Sequence, residues 1–197
     1  MEPSLQNIQT EVVPPKKENS IKEILKFTII ALAIVIPFRT YVAQPFIVRG
    51  ESMDSTFSDG QYLIVDQLSY HFTDPARGEV IILKYPRNPK TYFIKRIIGL
   101  PGETVISNNG TITIKNAAHP DGMTLNEPYI DPQNRARDSF QTTLKDTEYF
   151  VMGDNRSHSS DSHIWGPLEK KYITGRPIFR LVPLSKISLF PGRQAEE

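Results

Sequence analysis

The 197-residue chain contains no cysteine and only four histidines. The absence of cysteine excludes disulfides, thiolate metal sites and cysteine nucleophiles. Neither sign of charge dominates, because 23 basic residues stand against 22 acidic ones, for a net charge of +1. This balance provides neither the basic field typical of nucleic-acid binding nor the acidic excess typical of disorder. The 16 prolines and 11 glycines favour turns and short strands over long helices.

The N-terminal part of the chain has the pattern of a tail followed by a membrane anchor. Residues 1–20 are polar and contain three prolines, which predicts a flexible cytoplasmic tail. The apolar run at 27–38 is short for a membrane span, which needs about 20 residues. A helix over 21–44 reaches that length, because Lys22 and Lys26 can extend their ammonium groups towards the membrane surface. Pro37 is expected to kink or end this helix.

Three interpretations of the apolar segment stay open. A cleaved signal peptide would need small residues at its cleavage site, but Tyr41 stands two residues before Ala43. A buried helix of a soluble domain would suit the short apolar run. An uncleaved single-pass anchor is favoured. Its preceding lysines would hold the N-terminus in the cytoplasm and place the remaining chain on the periplasmic or lumenal side.

The chain beyond residue 45 has the pattern of antiparallel β structure. Short runs rich in apolar and β-branched residues lie at 61–65, 79–85, 91–98, 148–152, 178–182 and 187–190. Two further runs flank Asn109-Gly110, a strong hairpin signal. Residues 115–147 are rich in proline and charge, which predicts a loop-rich insertion without chemistry. The predicted fold is mainly β: an N-terminal transmembrane helix followed by an antiparallel β-sheet catalytic domain over 45–197.

Two segments provide a candidate nucleophile and base. Ser52 lies in a Gly-Glu-Ser-Met turn, and a serine hydroxyl needs a nearby base to react. Lys95 lies in a predicted strand between apolar residues, and a lysine acts as a base only if desolvation keeps its amine neutral. Because side chains alternate along a strand, Lys95 or Arg96 must enter an apolar environment. The plain alternatives are a turn serine and a solvent-facing lysine.

A third segment, Met152 to Gly166, is a polar loop after a strand. Its density of Asp, Asn and Ser predicts a hydrogen-bond network able to orient a neutral lysine, although a polar surface loop is the simpler alternative. A Ser–His–Asp triad would need a histidine that no spacing singles out. His158 and His163 are five residues apart and lack the acidic pattern of a metal site. Neither a metal nor a cofactor is expected.

Together these segments resemble the bacterial type I signal peptidases, the membrane-bound serine proteases of family S26. The resemblance covers roughly residues 24–190 and rests on the order and spacing of several pieces. These are 50–53, 77–81, 95–102, 153–156, Ser159, 161–162 and 165–166.

The resemblance implies a role for each matching residue. Ser52 is the nucleophile, its main-chain N–H binds the oxyanion, and Lys95 is the general base. Ser159 is expected to hydrogen-bond the lysine amine. The other supporting residues are Asp154 and Asp161, with Arg96 and Arg156 as their partners.

The resemblance also implies the reaction and its setting. Secretory preproteins would be cut after small residues, at Ala-x-Ala sites, through an acyl-enzyme. The expected partners are these preproteins and membrane lipid, without nucleic acid. The host is the cell membrane or, in a photosynthetic cell, the thylakoid membrane.

Three parts of the chain depart from the family pattern. Residues 54–57 read Asp-Ser-Thr-Phe, where x-Pro-Thr-Leu is common. Gly50 replaces an oxyanion-binding serine of some members, and His163 stands where arginine is common.

Two other functions are weighed. A catalytically inactive, membrane-anchored β module that binds peptides is disfavoured, because both Ser52 and Lys95 are present. A self-cleaving serine–lysine repressor would need a helical DNA-binding domain in place of residues 1–44.

Overall fold

A computed structural model describes residues 20–39 and 43–194, and the chain divides into two units, Met1–Pro37 and Phe38–Glu197. In the first unit, the predicted tail lies outside the described residues except for its last residue. The described part of that unit is helix α1, Ser20–Pro37.

Helix α1 is shorter than the anchor predicted over 21–44. Its α-helical part includes Pro37 as the last residue, and Phe38 and Arg39 have π-helical geometry. Ala43 and Gln44, predicted as the end of the anchor, lie in a strand instead. All side chains within α1 are exposed. Among the helices of the two described ranges, none combines the length and apolarity that a membrane crossing requires.

The second unit contains two antiparallel sheets. Its strands are β1 Ala43–Ile47, β2 Tyr62–Asp66, β3 Val80–Tyr85, β4 Asn88–Gly99, β5 Thr104–Asn108, β6 Thr111–Lys115, β7 Met123–Thr124, β8 Phe140–Thr143, β9 Glu148–Met152, β10 Leu168–Glu169, β11 Ile173–Val182 and β12 Ser188–Leu189. The first sheet has the order β1-β2-β11-β3-β4-β9-β10, with β12 beside β11. The second has the order β7-β6-β5-β8. The predicted mainly antiparallel β domain is therefore confirmed.

The predicted hairpin is also present, between β5 and β6. Asn108 pairs with Thr111, which leaves Asn109 and Gly110 as the two turn residues. Their φ angles are 50° and 83°, the positive values that a two-residue hairpin turn of this kind requires.

Strand β4 carries the candidate base and lies inside the first sheet, between β3 and β9. Its isoleucines pack into three different apolar clusters: Ile94 into one, Ile97 into a second and Ile98 into a third. Because both faces of this strand are covered, Lys95 and Arg96 are both buried, with exposed fractions of 3% and 0%.

The segment predicted as a loop-rich insertion, residues 115–147, also contributes to the folded domain. Strand β8 pairs with β5, and Ile130 and Leu144 are buried. The sequence Phe-Gln-Thr-Thr of β8 contains no apolar run, so its pattern did not predict a strand. A partner strand was needed to identify it.

Candidate active site

Ser52 lies in a tight turn between β1 and β2. The turn is closed by hydrogen bonds from Asp54 N to Glu51 O at 2.9 Å and from Phe57 N to Met53 O at 2.8 Å. Met53 and Phe57 are buried in the apolar cluster beneath it. These two apolar side chains fix the turn on the core, and the Ser52 side chain faces the neighbouring strand β4.

The Lys95 amine donates a hydrogen bond to the Ser52 hydroxyl, with 2.5 Å between Nζ and Oγ. Burial lowers the pKa of Lys95 from 10.5 to about 8, against the opposing charges of Asp161 and Asp154. At pH 7 such an amine is neutral in about one molecule in ten, far more often than an ordinary lysine. The structure thus joins the two residues that the sequence proposed as nucleophile and base, 43 positions apart.

Arg96, the neighbour of Lys95, has a carboxylate partner. Its Nε and Nη2 donate to the two Asp154 oxygens at 2.8 and 2.6 Å, and both side chains are almost fully buried. The Tyr129 ring lies against the guanidinium, 3.9 Å from its carbon. A bidentate pair of this kind holds both groups in one orientation. Thr56, in the serine turn, donates from its hydroxyl to Asp154 at 2.6 Å.

The polar loop after β9 holds the serine turn through main-chain contacts. Asn155 N donates to Ser52 O, and Asn155 Nδ2 donates to Glu51 O, both at 3.1 Å. Gly153 approaches the same carbonyl so closely that a Cβ atom there would lie 2.2 Å from Ser52 O and 2.3 Å from the Ser159 hydroxyl. Only a residue without a side chain fits at this position.

Asp161 stabilises this loop from inside the domain. It accepts hydrogen bonds from Gly153 N at 2.9 Å and from the His163 ring at 2.6 Å. Burial raises the pKa of Asp161, but His163, Ser159 and the Gly153 amide outweigh burial and keep it below its usual value. The bond to Asp161 in turn raises the pKa of His163. Ser159 is buried, and within the described residues its hydroxyl makes no hydrogen bond to the Lys95 amine, so the expected contact stays a prediction.

Arg156 has a different partner from the one expected. Its guanidinium forms a bidentate pair with Glu127, and both side chains are buried. Tyr129 OH also donates to Glu127, at 2.9 Å. Local sequence patterns did not predict this buried pair, because Glu127 lies in the polar segment that was expected to carry no chemistry. Only the proximity of that segment to the loop at 153–156 identifies it.

The family departure at position 55 has a structural explanation. Ser55 has a φ of 81°, a value that proline cannot adopt because its ring holds φ near −65°. Its hydroxyl donates to Tyr129 O at 2.9 Å, and its N–H donates to the Asp54 carboxylate at 2.9 Å. The serine turn of this chain is therefore held by side-chain hydrogen bonds, where the family pattern places a proline.

A cavity of about 110 Å³ adjoins Ser52 and Lys95. Most of its remaining lining is apolar and includes Phe46, Val48, Leu63, Ile82 and Ile94. A larger cavity of about 350 Å³ lies elsewhere, beside Arg77, Arg176 and Phe190. Ser52 and Lys95 line only the smaller of these two cavities.

Known proteins match this chain over most of its length. The family model for signal peptidase, peptidase S26, matches residues 21–182. A probable signal peptidase I-1 from Synechocystis sp. is 36% identical over 181 residues, which cover 87% of this chain and 88% of that protein. Signal peptidase I from Bacillus licheniformis is 31% identical over 188 residues, which cover 90% and 97%. The crystal structure of a signal peptidase I from Enterococcus faecalis is 30% identical, covers 53% of this chain and 97% of that one, and has a TM-score of 0.44.

An antiparallel β domain that holds a serine hydroxyl against a buried lysine amine has the make-up of a serine endopeptidase. The family match and the relatives agree with that class: the chain belongs to the signal peptidase family, peptidase S26. The alternative of an inactive peptide-binding module is not favoured.

Proposed function

We propose that this chain is a membrane-bound endopeptidase that removes N-terminal signal peptides from secretory preproteins after small residues. The observation that carries the proposal is the 2.5 Å contact between Lys95 Nζ and Ser52 Oγ. Its relatives are named signal peptidase I, which supports the same substrate class.

The chemistry follows from the protonation state of Lys95. The neutral amine takes the hydroxyl proton as Ser52 Oγ attacks the scissile carbonyl carbon. The resulting ammonium then gives this proton to the leaving amine, and an acyl-enzyme ester remains on Ser52. Lys95 next takes a proton from water as the water oxygen attacks the ester carbon. The ammonium then returns this proton to Ser52 Oγ, the ester bond breaks, and the signal peptide leaves with a new C-terminal carboxylate.

The Ser52 main-chain N–H is the proposed oxyanion donor. In the described part of the chain it donates to no protein acceptor, which leaves it available to a developing negative charge. Gly50 has no hydroxyl to add a second donor. One donor of this kind changes a rate by about 10²–10³-fold.

The small cavity next to Ser52 supports the preference for small side chains. Its volume is about 110 Å³, and apolar side chains form most of its wall. The apolar part of this wall favours a methyl group over a charged side chain, because burial of a charge without a partner is costly. Discrimination would then come from excluding bulk, as expected for a cut after Ala-x-Ala.

The proposal places the chain in a membrane through the segment predicted as an anchor, of which α1 is the described helix, with the N-terminus in the cytoplasm. Lys22 and Lys26 support this orientation by the positive-inside rule. The apolar side chains of α1, such as Ile30 and Leu32, are exposed in the structure, and lipid would cover them. The host is the cell membrane or, in a photosynthetic cell, the thylakoid membrane. Secretory preproteins and lipid are the proposed partners, and no nucleic acid is involved.

Cleavage of a preprotein with an Ala-x-Ala site by the detergent-solubilised full chain tests this function. The variants are Ser52→Ala, Lys95→Ala and Lys95→Arg. We expect the wild type to cut after the second alanine and each variant to lose at least about 10³-fold in kcat, because the nucleophile and its base act as one unit. Lys95→Arg is the sharpest of the three, since it keeps the positive charge but cannot accept a proton.

A folded wild type that leaves several such preproteins intact would contradict the proposed function. Cleavage by Lys95→Ala at the wild-type rate would show that another group is the base. Replacing the alanine before the cut with phenylalanine provides the matched substrate control and should abolish cleavage.

A further inference from the structure

A turn near the C-terminus, Phe190–Arg193, lies against the candidate site. We call it the C-terminal turn. It closes with a hydrogen bond from Arg193 N to Phe190 O at 3.2 Å, and Pro191 within it is buried. It follows strand β12 and lies beyond residue 182, where the family match ends.

The C-terminal turn contacts the Arg96 guanidinium directly. Arg96 Nη1 donates to Gly192 O and to Gly78 O, both at 2.7 Å, while Nε and Nη2 donate to Asp154. Two main-chain carbonyls therefore fix one edge of the guanidinium and the carboxylate fixes the other. If Gly192 O were removed, Nη1 would lose one of its two acceptors in a fully buried site, and the fork would be free to tilt away from Asp154.

Gly192 is closely packed where it makes this contact. A Cβ atom there would lie 2.9 Å from the Phe57 ring, 3.0 Å from Val80 and 3.1 Å from Thr56. Its φ is +80°, which other residues adopt only with strain. Phe57 and Thr56 belong to the serine turn, so Gly192 lies between that turn and strand β3.

The contact bears on catalysis because Asp154 acts on Lys95. Burial lowers the Lys95 pKa, and the charges of Asp161 and, to a lesser degree, Asp154 raise it in the opposite direction. A well-oriented Arg96 offsets the Asp154 charge. A tilted Arg96 would leave more of it uncompensated, and Lys95 would then hold its proton more firmly.

We infer that the C-terminal turn is a positioning element that holds Arg96 against Asp154 and so keeps Lys95 available as a neutral base. The inference rests on the proposed function for its catalytic consequence. The structural consequence, the protonation of Lys95, can be measured without any substrate.

Two pairs of variants isolate the turn. One chain ends at Leu189 and lacks the turn, and its control ends at Gln194 and keeps it. The second pair is Gly192→Ala and Gly102→Ala. Gly102 also has a positive φ, +76°, but a Cβ there meets only Asp146 Oδ1 at 3.8 Å. The control therefore carries the same backbone strain at a position away from Arg96.

The first measurement is an NMR titration of ¹³Cε-labelled lysine, with Lys95 assigned from the Lys95→Arg spectrum and folding checked by thermal unfolding. We expect removal of the turn and Gly192→Ala each to raise the Lys95 pKa by about one unit, a tenfold loss of neutral amine below that pKa. The chain ending at Gln194 and Gly102→Ala should titrate as the wild type. Gly192→Ala keeps the test decisive if the shorter chain does not fold.

The second measurement is a double-mutant cycle with Arg96→Lys, which keeps the charge but not the fork. If the turn acts through Arg96, Gly192→Ala should change the Lys95 pKa much less in the Arg96→Lys background than in the wild type. For an active enzyme, kcat should fall about tenfold below pH 8 while KM changes little. A purely structural defect would lower the melting temperature without moving the pKa.

An unchanged Lys95 pKa in folded Gly192→Ala would overturn the inference, as would equal shifts in Gly102→Ala. A wild type that does not cleave preproteins would overturn the proposed function instead. Because the titration needs no substrate, the two failures are distinguishable.

Discussion

Lys95 and Arg96 are adjacent in one buried strand, but the domain accommodates their charges in different ways. Arg96 cannot lose its proton, so its burial requires a carboxylate, and Asp154 provides both oxygens. Lys95 has Ser52 as its hydrogen-bond partner and no carboxylate within bonding distance among the described residues. A buried lysine without an ion-pair partner relieves the cost of burial by losing its proton. The same burial therefore leaves Arg96 as a structural ion and suits Lys95 to the base role proposed for it.

The Lys95 pKa predicts the pH dependence of cleavage. Burial lowers this pKa to about 8, so the neutral fraction of the amine rises as the pH increases through that value. We expect kcat/KM to rise about tenfold per pH unit below about pH 8 and to level off above it. The measurement is a pH–rate profile on a peptide with an Ala-x-Ala site.

Lys95→Arg is the control for this profile and should show no cleavage at any pH. A wild-type rate that stays constant from about pH 6 to about pH 9 would contradict the assignment of Lys95 as the base, because a single titrating amine must change the rate across that range.

At the scale of elements, the serine turn and the loop after β9 are locked together by main-chain groups. Asn155 binds two carbonyls of the serine turn, and Gly153 lies against one of them. Asp161 holds the Gly153 amide from the other side. The position of the nucleophile is therefore set by a loop about 100 residues away in the chain.

Substitution of Gly153 by alanine should separate these two elements. The added Cβ would lie 2.2 Å from Ser52 O, so one main-chain segment must move. We expect kcat to fall about 10²-fold, since a displacement near 1 Å has effects of that size. Stability should fall by about 1–3 kcal/mol, as for other overpacked sites. Kinetics and thermal unfolding measure the two effects.

Ser160→Ala in the same loop is the matched control, because Ser160 is exposed. It should keep wild-type kinetics and stability. Wild-type kcat in Gly153→Ala would show that the close approach to Ser52 does not position the nucleophile.

At the scale of the whole molecule, the chain combines a helical unit with a β domain that contains all the candidate site residues. The proposed anchor can be tested within the first unit. Ile34 is an exposed apolar residue of α1, and an arginine near the centre of a membrane span costs about 2.5–3.5 kcal/mol. We expect Ile34→Arg to shift the full chain towards the soluble fraction, while Ile34→Leu stays with the membrane.

The measurement is extraction of membranes with alkaline carbonate, followed by detergent. An anchored chain resists carbonate and is released by detergent. Release of the wild type by carbonate alone would contradict the anchor, whatever the activity of the β domain.

The amino-acid sequence was enough to predict the class of the domain, most of its strands and the pairing of a serine with a lysine. These follow from patterns that extend over a few neighbouring residues or from the spacing of short motifs: alternation in β4, the Asn-Gly turn, and the order of the Ser52 and Lys95 segments. It also indicated that a cation in β4 is buried, because either face of that strand is apolar.

The partners of the charged residues and the ends of several elements depend on contacts between distant parts of the chain. Glu127 pairs with Arg156, Gly192 O binds Arg96 from 96 positions away, and β8 exists only as a partner of β5. Such contacts depend on the register of the sheets and on loops that return to the same place. Local sequence patterns do not indicate the sheet register or the loop positions. Each of these contacts joins groups that become neighbours only when the sheets pack around the core.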